Sequence, residues 1–320
     1  MKEVPKILVA DLGGTKVLAG IVSGDGKLQH RRKRESAGDG ELKDILANLY
    51  AALDDVLAAA ASSPAAVALA SAGAIDLKKG VVTHSPNMMA VNGAPLRELL
   101  SQRYGIPAVM LNDASAAALA EHHLGAGRGS RDMIFLTVST GIGGGIIVDN
   151  KLYQGADGTA GEFGHTIIDL NGPADTCGGY GCLEQYASGT AIARKAVNLL
   201  NSGVASSLAD VLARQGRITA ADVAAAALSG DPLAKEVFDA AMRALGTGII
   251  SIVNVFNPEL IVIGGGVSQT GEQLFAPVRR AVAEHAYKLP ASRVKIVPAA
   301  LGDEAGAVGA ALFAREELGL

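Results

Sequence analysis

The chain has 320 residues, 49% of them hydrophobic and 19% charged, which is ample for one large or two ordinary domains with sizeable cores. A formal charge of −4 excludes the basic footprint of a nucleic-acid binder, and the one basic run, Arg31 to Arg34, is followed at once by Glu35 and reads as a solvated strand end. The opening residues pass from charge straight into a short apolar run ending at Asp11, so no secretory leader is expected and the predicted compartment is the cytoplasm. Two cysteines in a reducing compartment argue against a structural disulfide.

From Ile7 the sequence predicts a strand, a glycine turn, a second strand, a Gly-Asp-Gly turn at Gly24 to Gly26 and a third strand, together a β-meander. Glu41 to Ala61 has helical spacing. The alanine-rich stretch from Val56 to Ile75 approaches membrane length but is cut at Ser62 to Pro64, which predicts helix, turn and strand instead. Ala66 to Ala70 suits a buried strand, Pro95 to Tyr104 a short helix, Pro107 to Asp113 a strand, and the residues after Asp113 a helix stopped by Gly125. From Arg131 the opening syntax returns: an apolar strand, a glycine-rich bend, a second strand and a tight turn at Asp149 and Asn150. Helices follow over Ala187 to Leu200, Ser207 to Arg214, Thr219 to Leu228 and Pro232 to Phe256, then the strand ELIVIGGG, the strand RVKIVPA and a last helix from Glu304 to Glu317. Two copies of one strand-loop-strand unit predict two related α/β domains with a cleft between them, divided near Asn112, the final helix packing back on the first.

The repeated bends carry the candidate chemistry. In DLGGTK, Gly13 and Gly14 remove side chains where backbone must approach a bulky anion, Thr15 and Lys16 add a hydroxyl and a cation, and Asp11 is placed to hold Mg²⁺ through water. A plain glycine hairpin turn is the competing reading. The second bend, with Thr140, Gly141, Gly143 and Gly144, runs on into a strand and so fails as a dinucleotide fingerprint, whose loop must open a helix. The Gly265-Gly266 pair follows a strand but lacks the acidic residue a dinucleotide site needs farther on. Asn112 and Asp113 end a strand and open a helix, where an aspartate serves either as an N-cap or as a base at a strand terminus. Asn87, Asn112, Glu162, His165 and Glu184 form a plausible array for a sugar. His122 and His123 are adjacent and cannot chelate as an i, i+4 pair would. Cys177 and Cys182 lie in a glycine-rich run and are open to three readings: a disulfide, part of a metal site, or two small reduced residues.

Taken together these motifs resemble the ROK family of sugar kinases and repressors, over essentially the whole chain. DLGGTK is similar to its first phosphate motif, Asn112-Asp113 to its catalytic pair, TGIGGGI to its second phosphate motif, GEFGH to its E-x-G-H sugar motif and CGGYGCLEQYASG to its cysteine-rich signature. The resemblance implies an α/β, two-domain actin/hexokinase-like (ribonuclease H-like) fold with a cleft between domains. Residues 1–112 plus 304–320 would form the small domain and residues 113–303 the large one, with a zinc-loop insertion. It implies ATP-dependent phosphorylation of a hexose, glucose first, with Asp113 as general base. Asp11, Mg²⁺ and the residues Gly13, Gly14, Thr15, Lys16, Thr140, Gly141, Gly143 and Gly144 would serve the phosphates, with Gly265 and Gly266 near the adenosine. Asn87, Asn112, Asp113, Glu162, His165 and Glu184 would bind the sugar. His165, Asp175, Cys177 and Cys182 would hold a structural Zn²⁺. A homodimer without nucleic-acid or membrane partners is also implied.

Two departures from the family pattern stand out. Met89, Ala90 and Val91 replace a Pro-Gly-Trp in the sugar-side loop, and Asp175 stands where the family has a first cysteine. The alternatives within the family are a kinase for N-acetylglucosamine or N-acetylmannosamine, a fructokinase or mannokinase, and a sugar-responsive transcriptional repressor. The repressor would need an N-terminal helix-turn-helix for which a first strand beginning by Ile7 leaves no room. An inactive sugar-binding protein is opposed by the joint presence of Asp11, Asn112 and Asp113.

Overall fold

The computed structural model describes residues 4–60 and 63–320; Ala61 and Ser62, at the predicted end of the first helix, lie outside the described residues. The meander forms as predicted, with β1 (Ile7–Leu12), β2 (Lys16–Val22) and β3 (Leu28–Glu35), followed by α1 (Leu42–Ala60) and β4 (Ala66–Ser71). The hairpin β5 (Ala74–Asp76) and β6 (Val81–His84), α2 (Leu96–Tyr104), β7 (Ala108–Asn112) and α3 (Asp113–Leu124) come next. Then the pattern repeats with β8 (Met133–Val138), β9 (Ile142–Val148) and β10 (Lys151–Leu152). The remainder is α4 (Glu184–Ala187), α5 (Gly189–Asn201), α6 (Leu208–Gln215), α7 (Ala220–Leu228), α8 (Pro232–Phe256), β11 (Leu260–Gly264), α9 (Glu272–His285), α10 (Lys288–Arg293), β12 (Lys295–Pro298) and α11 (Ala305–Leu318).

Two five-stranded sheets have the same plan, β3-β2-β1-β4-β7 and β10-β9-β8-β11-β12. In the first, β1 pairs antiparallel with β2 and parallel with β4, which pairs parallel with β7. In the second, β8, β11 and β12 are parallel and β10 is antiparallel to β9. The repeated syntax of the sequence is therefore a repeated topology. Asp149 and Asn150 close the β9–β10 hairpin with φ of 53° and 62°, the left-handed pair that a two-residue hairpin of this twist requires.

The chain divides into two units: Met1–Arg131 with Gly145–Gly161 and Ala300–Leu320, and Asp132–Gly144 with Glu162–Ala299. The predicted division near Asn112 would have assigned α3 to the second unit; α3 instead packs within the first. Small residues explain why. A Cβ at Gly309 of α11 would collide with the Ala116 carbonyl of α3, and one at Gly145 with Ala118 Cβ and the Ala114 carbonyl, so bare backbone lets both elements close on α3. That is why every residue from Ala114 to His122 is buried, and why the helix is rich in alanine.

The core of the first unit lies between its sheet and α1, whose buried Ile45, Leu49, Ala52, Leu53 and Val56 recur at helical spacing against Leu8, Leu12, Val17 and Ile21. The interior strand β4, between β1 and β7, is buried along its whole length, as the parallel interior of an α/β sheet demands. In the second unit α8 begins with Pro232 at its first turn behind the Asp231 cap and ends at Asn257 in the left-handed region. Among the described residues no helix is long and apolar enough to cross a membrane.

Candidate functional site

The first unit gathers its chemistry at the C-terminal ends of β1 and β7. The DLGGTK bend is the turn of the β1–β2 hairpin, closed by the Gly13 N–H donating to the Lys16 carbonyl at 2.9 Å. The hairpin reading of this bend therefore holds for its geometry. A Cβ on Gly14 would press on Asn87, and one on Gly38 would collide with the Gly14 carbonyl, so the bend is hemmed in by backbone on both sides. Asn87 is itself exposed beside the bend. Thr15 and Lys16 are exposed, and the Lys16 ammonium is held by Asp303 Oδ2 at 3.0 Å. Sequence reasoning passes over Asp303, which follows the last strand in the run LGDEAG and also accepts from Lys33 at 3.2 Å.

At the end of β7 geometry shows which residue of the pair caps α3. Asn112 is the N-cap of α3: its side-chain oxygen accepts from Ala114 N–H at 3.0 Å and Ser115 N–H at 3.1 Å, and its amide donates to the Gly73 carbonyl at 3.0 Å. The capping job belongs to the asparagine, which leaves only one amide hydrogen of Asn112 for a ligand. Asp113 is thereby released. Its Oδ1 accepts from Ala114 N–H at 2.8 Å, and Oδ2 makes no hydrogen bond with the described residues. Burial raises the Asp113 carboxyl above its ordinary value, against the opposing pull of the Ala114 and Asp113 backbone N–H groups. Asp11 is also raised, to about 7, by burial first and by the Asp113 carboxylate second, while Lys16 lowers it and Asp303 raises it. Two half-buried carboxylates, one of them beside Lys16, suit a divalent cation, which would relieve the repulsion between them.

The second unit gathers the other predicted residues. Glu184, at the start of α4, accepts from the Ile142 N–H at 2.6 Å, and a Cβ on Gly141 would run into the same carboxylate. The second glycine bend and the Leu183-Glu184 step are thus one structural feature, which sequence spacing does not reveal. Thr140 is exposed in this bend, and Gly143 and Gly144 continue into β9 as predicted. The bend is closed by Ser139 N–H donating to the Gly141 carbonyl at 2.9 Å and by Gly189 N–H donating to the Ser139 carbonyl at 2.7 Å. Gly265, after β11, has φ of 86° and its missing side chain makes room for the Val138 carbonyl, whereas a Cβ on Gly266 would meet only Ser139 Oγ, at 3.9 Å. The helix predicted from Ala187 is interrupted: Ala187 ends α4, and Ser188 caps α5 by accepting from Ala191 N–H at 3.1 Å.

Glu162 precedes the single turn Phe163–His165, and its carboxylate lies 4.0 Å from His165 Nε2. The other ring nitrogen, Nδ1, faces Asp175 Oδ2 at 3.2 Å. Isolated bridges between Ile167 and Cys182 and between Ala174 and Tyr180 fold the glycine-rich loop back on itself, which brings His165, Asp175, Cys177 and Cys182 together. One donor atom from each lies within 4.8 Å of the other three, the one such cluster among the described residues. The two Sγ atoms are 3.7 Å apart and no disulfide joins them. Around them, Gly179 N–H donates to Cys177 Sγ at 3.4 Å, and Thr176 N–H and the Gln185 amide donate to Asp175 Oδ1 at 2.6 and 2.9 Å. Burial opposes ionisation of Asp175, yet the bonds from Cys182, His165, Thr176 and Gln185 outweigh it and hold the carboxyl far below its usual range. Burial and the neighbouring Asp175 and Cys177 push the Cys182 thiol up to about 12. A metal here must displace that proton, so its uptake is proton-coupled.

His122 and His123 form no chelating pair. His122 Nε2 bonds the Ser130 carbonyl at 2.8 Å, and the two rings meet edge to face.

Comparison with known proteins gives the family. The ROK family profile matches residues 7–317. The glucokinase of Thermotoga maritima is 35% identical over 318 residues, covering 98% of each chain. The N-acetylmannosamine kinase of Shigella flexneri is 34% identical, covering 97% of this chain and 99% of its own. The structure of a ROK family glucokinase from Streptomyces griseus in complex with glucose and AMPPNP superposes with a TM-score of 0.83 at 34% identity, over 97% of this chain and 99% of the other. The chain belongs to the ROK family and has its actin/hexokinase-like α/β fold.

Proposed function

We propose that this protein transfers the γ-phosphoryl group of ATP to a hexose, with glucose the first-choice acceptor and Asp113 the general base. The observation that carries the reading is the division of labour at the end of β7: Asn112 caps α3 and so frees Asp113 Oδ2. A sugar hydroxyl gives its proton to that carboxylate as its oxygen bonds to the γ-phosphorus. The bond from γ-phosphorus to the bridging oxygen breaks, ADP leaves, and the proton passes from Asp113 to solvent. Mg²⁺, when bound with the nucleotide, neutralises phosphate charge, and Asp11 is the carboxylate suited to hold it. Gly13 to Lys16 and Thr140 to Gly144 take the phosphates, Gly265 and Gly266 the adenosine. Asn87, the remaining amide hydrogen of Asn112, Glu162, His165 and Glu184 hold the sugar. A coupled assay with ATP and Mg²⁺ over glucose, mannose, fructose and the two N-acetylhexosamines tests this directly. Glucose should give the highest kcat/KM, and inactivity on every one of these sugars would defeat the proposal.

The metal assignment belongs to the same proposal. Tetrahedral Zn²⁺ with Zn–S bonds of about 2.3 Å sets its sulfurs roughly 3.8 Å apart, and the 3.7 Å between Cys177 and Cys182 fits. Asp175 supplies an oxygen as the fourth donor in place of a thiolate. With Nδ1 turned to the metal, His165 keeps Nε2 for the sugar, so the ion would fix that ring in place. Metal analysis should find one zinc per chain. Chelation should lower the melting temperature and raise the KM for sugar more than that for ATP, and Asp175→Cys should slow the loss of zinc. A metal-free protein with unchanged melting temperature would remove zinc from the account. Assembly as a homodimer, checked by light scattering, and residence in the cytoplasm are part of the same family-based reading.

A further inference from the structure

Glu121 has no part in the chemistry above, yet it is one of the few charged side chains among the described residues with no exposure to solvent. A carboxylate is stable there only if its oxygens are satisfied. The partners are all backbone. Oε1 accepts the N–H groups of Ala300 at 2.9 Å and Leu301 at 2.7 Å, and Oε2 accepts that of Ala126 at 2.8 Å. Gly125 must be bare for this, because a Cβ there would collide with Oε2.

What the carboxylate grips is the segment that supplies the DLGGTK bend with its neighbours. Directly after Leu301 comes the turn Gly302–Glu304, opened by Gly302 at φ of 56°. Asp303 in this turn takes the ammonium groups of Lys16 and Lys33, and Glu304 pairs with Arg31 at 2.6 Å. Two residues on, Gly306 in the first turn of α11 lies so close to Asp11 that a Cβ would strike its carboxylate. Both charged residues of the bend are therefore set by one short segment, and that segment is anchored to α3 through Glu121.

We propose that Glu121 is a positioning residue for nucleotide binding: by clamping the backbone at Ala300 and Leu301 it sets Asp303 against Lys16 and Gly306 against Asp11. An apolar residue of the same size would fill the space but leave three buried N–H groups without acceptors. The inference rests on the proposed kinase reading, in which Asp11 and Lys16 serve the phosphates.

Glu121→Gln in the full chain is the test, because the amide keeps the volume yet must turn an NH₂ group toward a backbone N–H whichever way it lies. Calorimetry with Mg·AMPPNP should show its dissociation constant raised by about tenfold, the size of one lost hydrogen bond to a charged group. Glucose binding should stay within about twofold of the parent, and the KM for ATP should rise without a matching change in the KM for sugar. Unchanged nucleotide affinity, or equal losses for nucleotide and sugar, overturns the proposal, since a merely structural residue would move both ligands together. If the glutamine variant does not fold, Asp303→Asn decides: weaker Mg·AMPPNP binding with glucose binding kept supports the clamp, and parental affinity overturns it. Binding of the analogue needs no turnover, so a parent that binds it but phosphorylates no hexose defeats the proposed activity and leaves this measurement readable. A parent that does not bind it overturns both.

Discussion

Asp113→Asn should bind hexose within a few-fold of the parent and lose roughly 10²- to 10⁴-fold in kcat, the usual scale for removing a general base. The amide retains an oxygen for the Ala114 N–H that Asp113 now accepts, so the start of α3 keeps its hydrogen bond and Asn112 keeps its cap. Only the proton acceptor is lost. Because that acceptor acts in the transition state, kcat and kcat/KM should fall together while the dissociation constant of the sugar holds. The parent's pH profile carries a second signature. Burial raises the Asp113 carboxyl, so activity should decline with falling pH from a point above the ordinary carboxylate range. Steady-state kinetics across pH, together with calorimetric titration of glucose, read both effects. Near-normal turnover in the variant would take the base away from Asp113.

The reason Asp113 could be singled out in the sequence at all is that a strand ending in an Asn-Asp pair before a helix has only a few uses. Periodicity alone left capping and catalysis open, and the hydrogen bonds on Asn112 assign the cap to the asparagine. The meander and its second copy were legible because alternating apolar strands broken by glycine leave few other structures open to the chain. The helix α9 was not separately legible: Pro277 stands inside it and reads as a breaker, although Leu274, Phe275, Val278 and Val282 give it a buried face. The hairpin β5–β6 was missed because strands of three and four residues carry too little pattern. The zinc-like cluster was legible only through family likeness, since the bridge between Ala174 and Tyr180 that folds its loop is a tertiary event. Least visible were Asp303 and Glu121. Lys16 meets Asp303 across 287 positions of sequence, and Glu121 meets Ala300 across 179, distances at which local pattern carries no information.

The same long-range packing makes Asp11 a residue where stability and activity should pull in opposite directions. Burial and the Asp113 carboxylate raise Asp11 from 3.8 to about 7. Between those two values the folded chain holds a proton that the unfolded chain has released, so folding stability falls as pH climbs through the window, and the loss is complete above it. A shift of that size corresponds to about 4 kcal/mol if unscreened. Asp11 keeps some contact with solvent, and screening leaves roughly 1–2 kcal/mol. Asp11→Asn has no charge to bury. The ligand-free variant should therefore be more stable than the parent by about 1–2 kcal/mol at pH 8, with the difference vanishing near pH 4, where both side chains are neutral. Its turnover with Mg·ATP should nonetheless drop by about 10²-fold or more, because the amide offers a divalent ion no charge. Denaturant unfolding at the two pH values, paired with kinetics over a range of Mg²⁺, measures the opposition. A variant less stable than the parent at pH 8 would mean that Asp11 is held by favourable contacts and not by repulsion. Retained activity would mean that the cation is carried by another group. Opposite signs at this one position would identify a carboxylate kept at a cost to the fold because the reaction uses it.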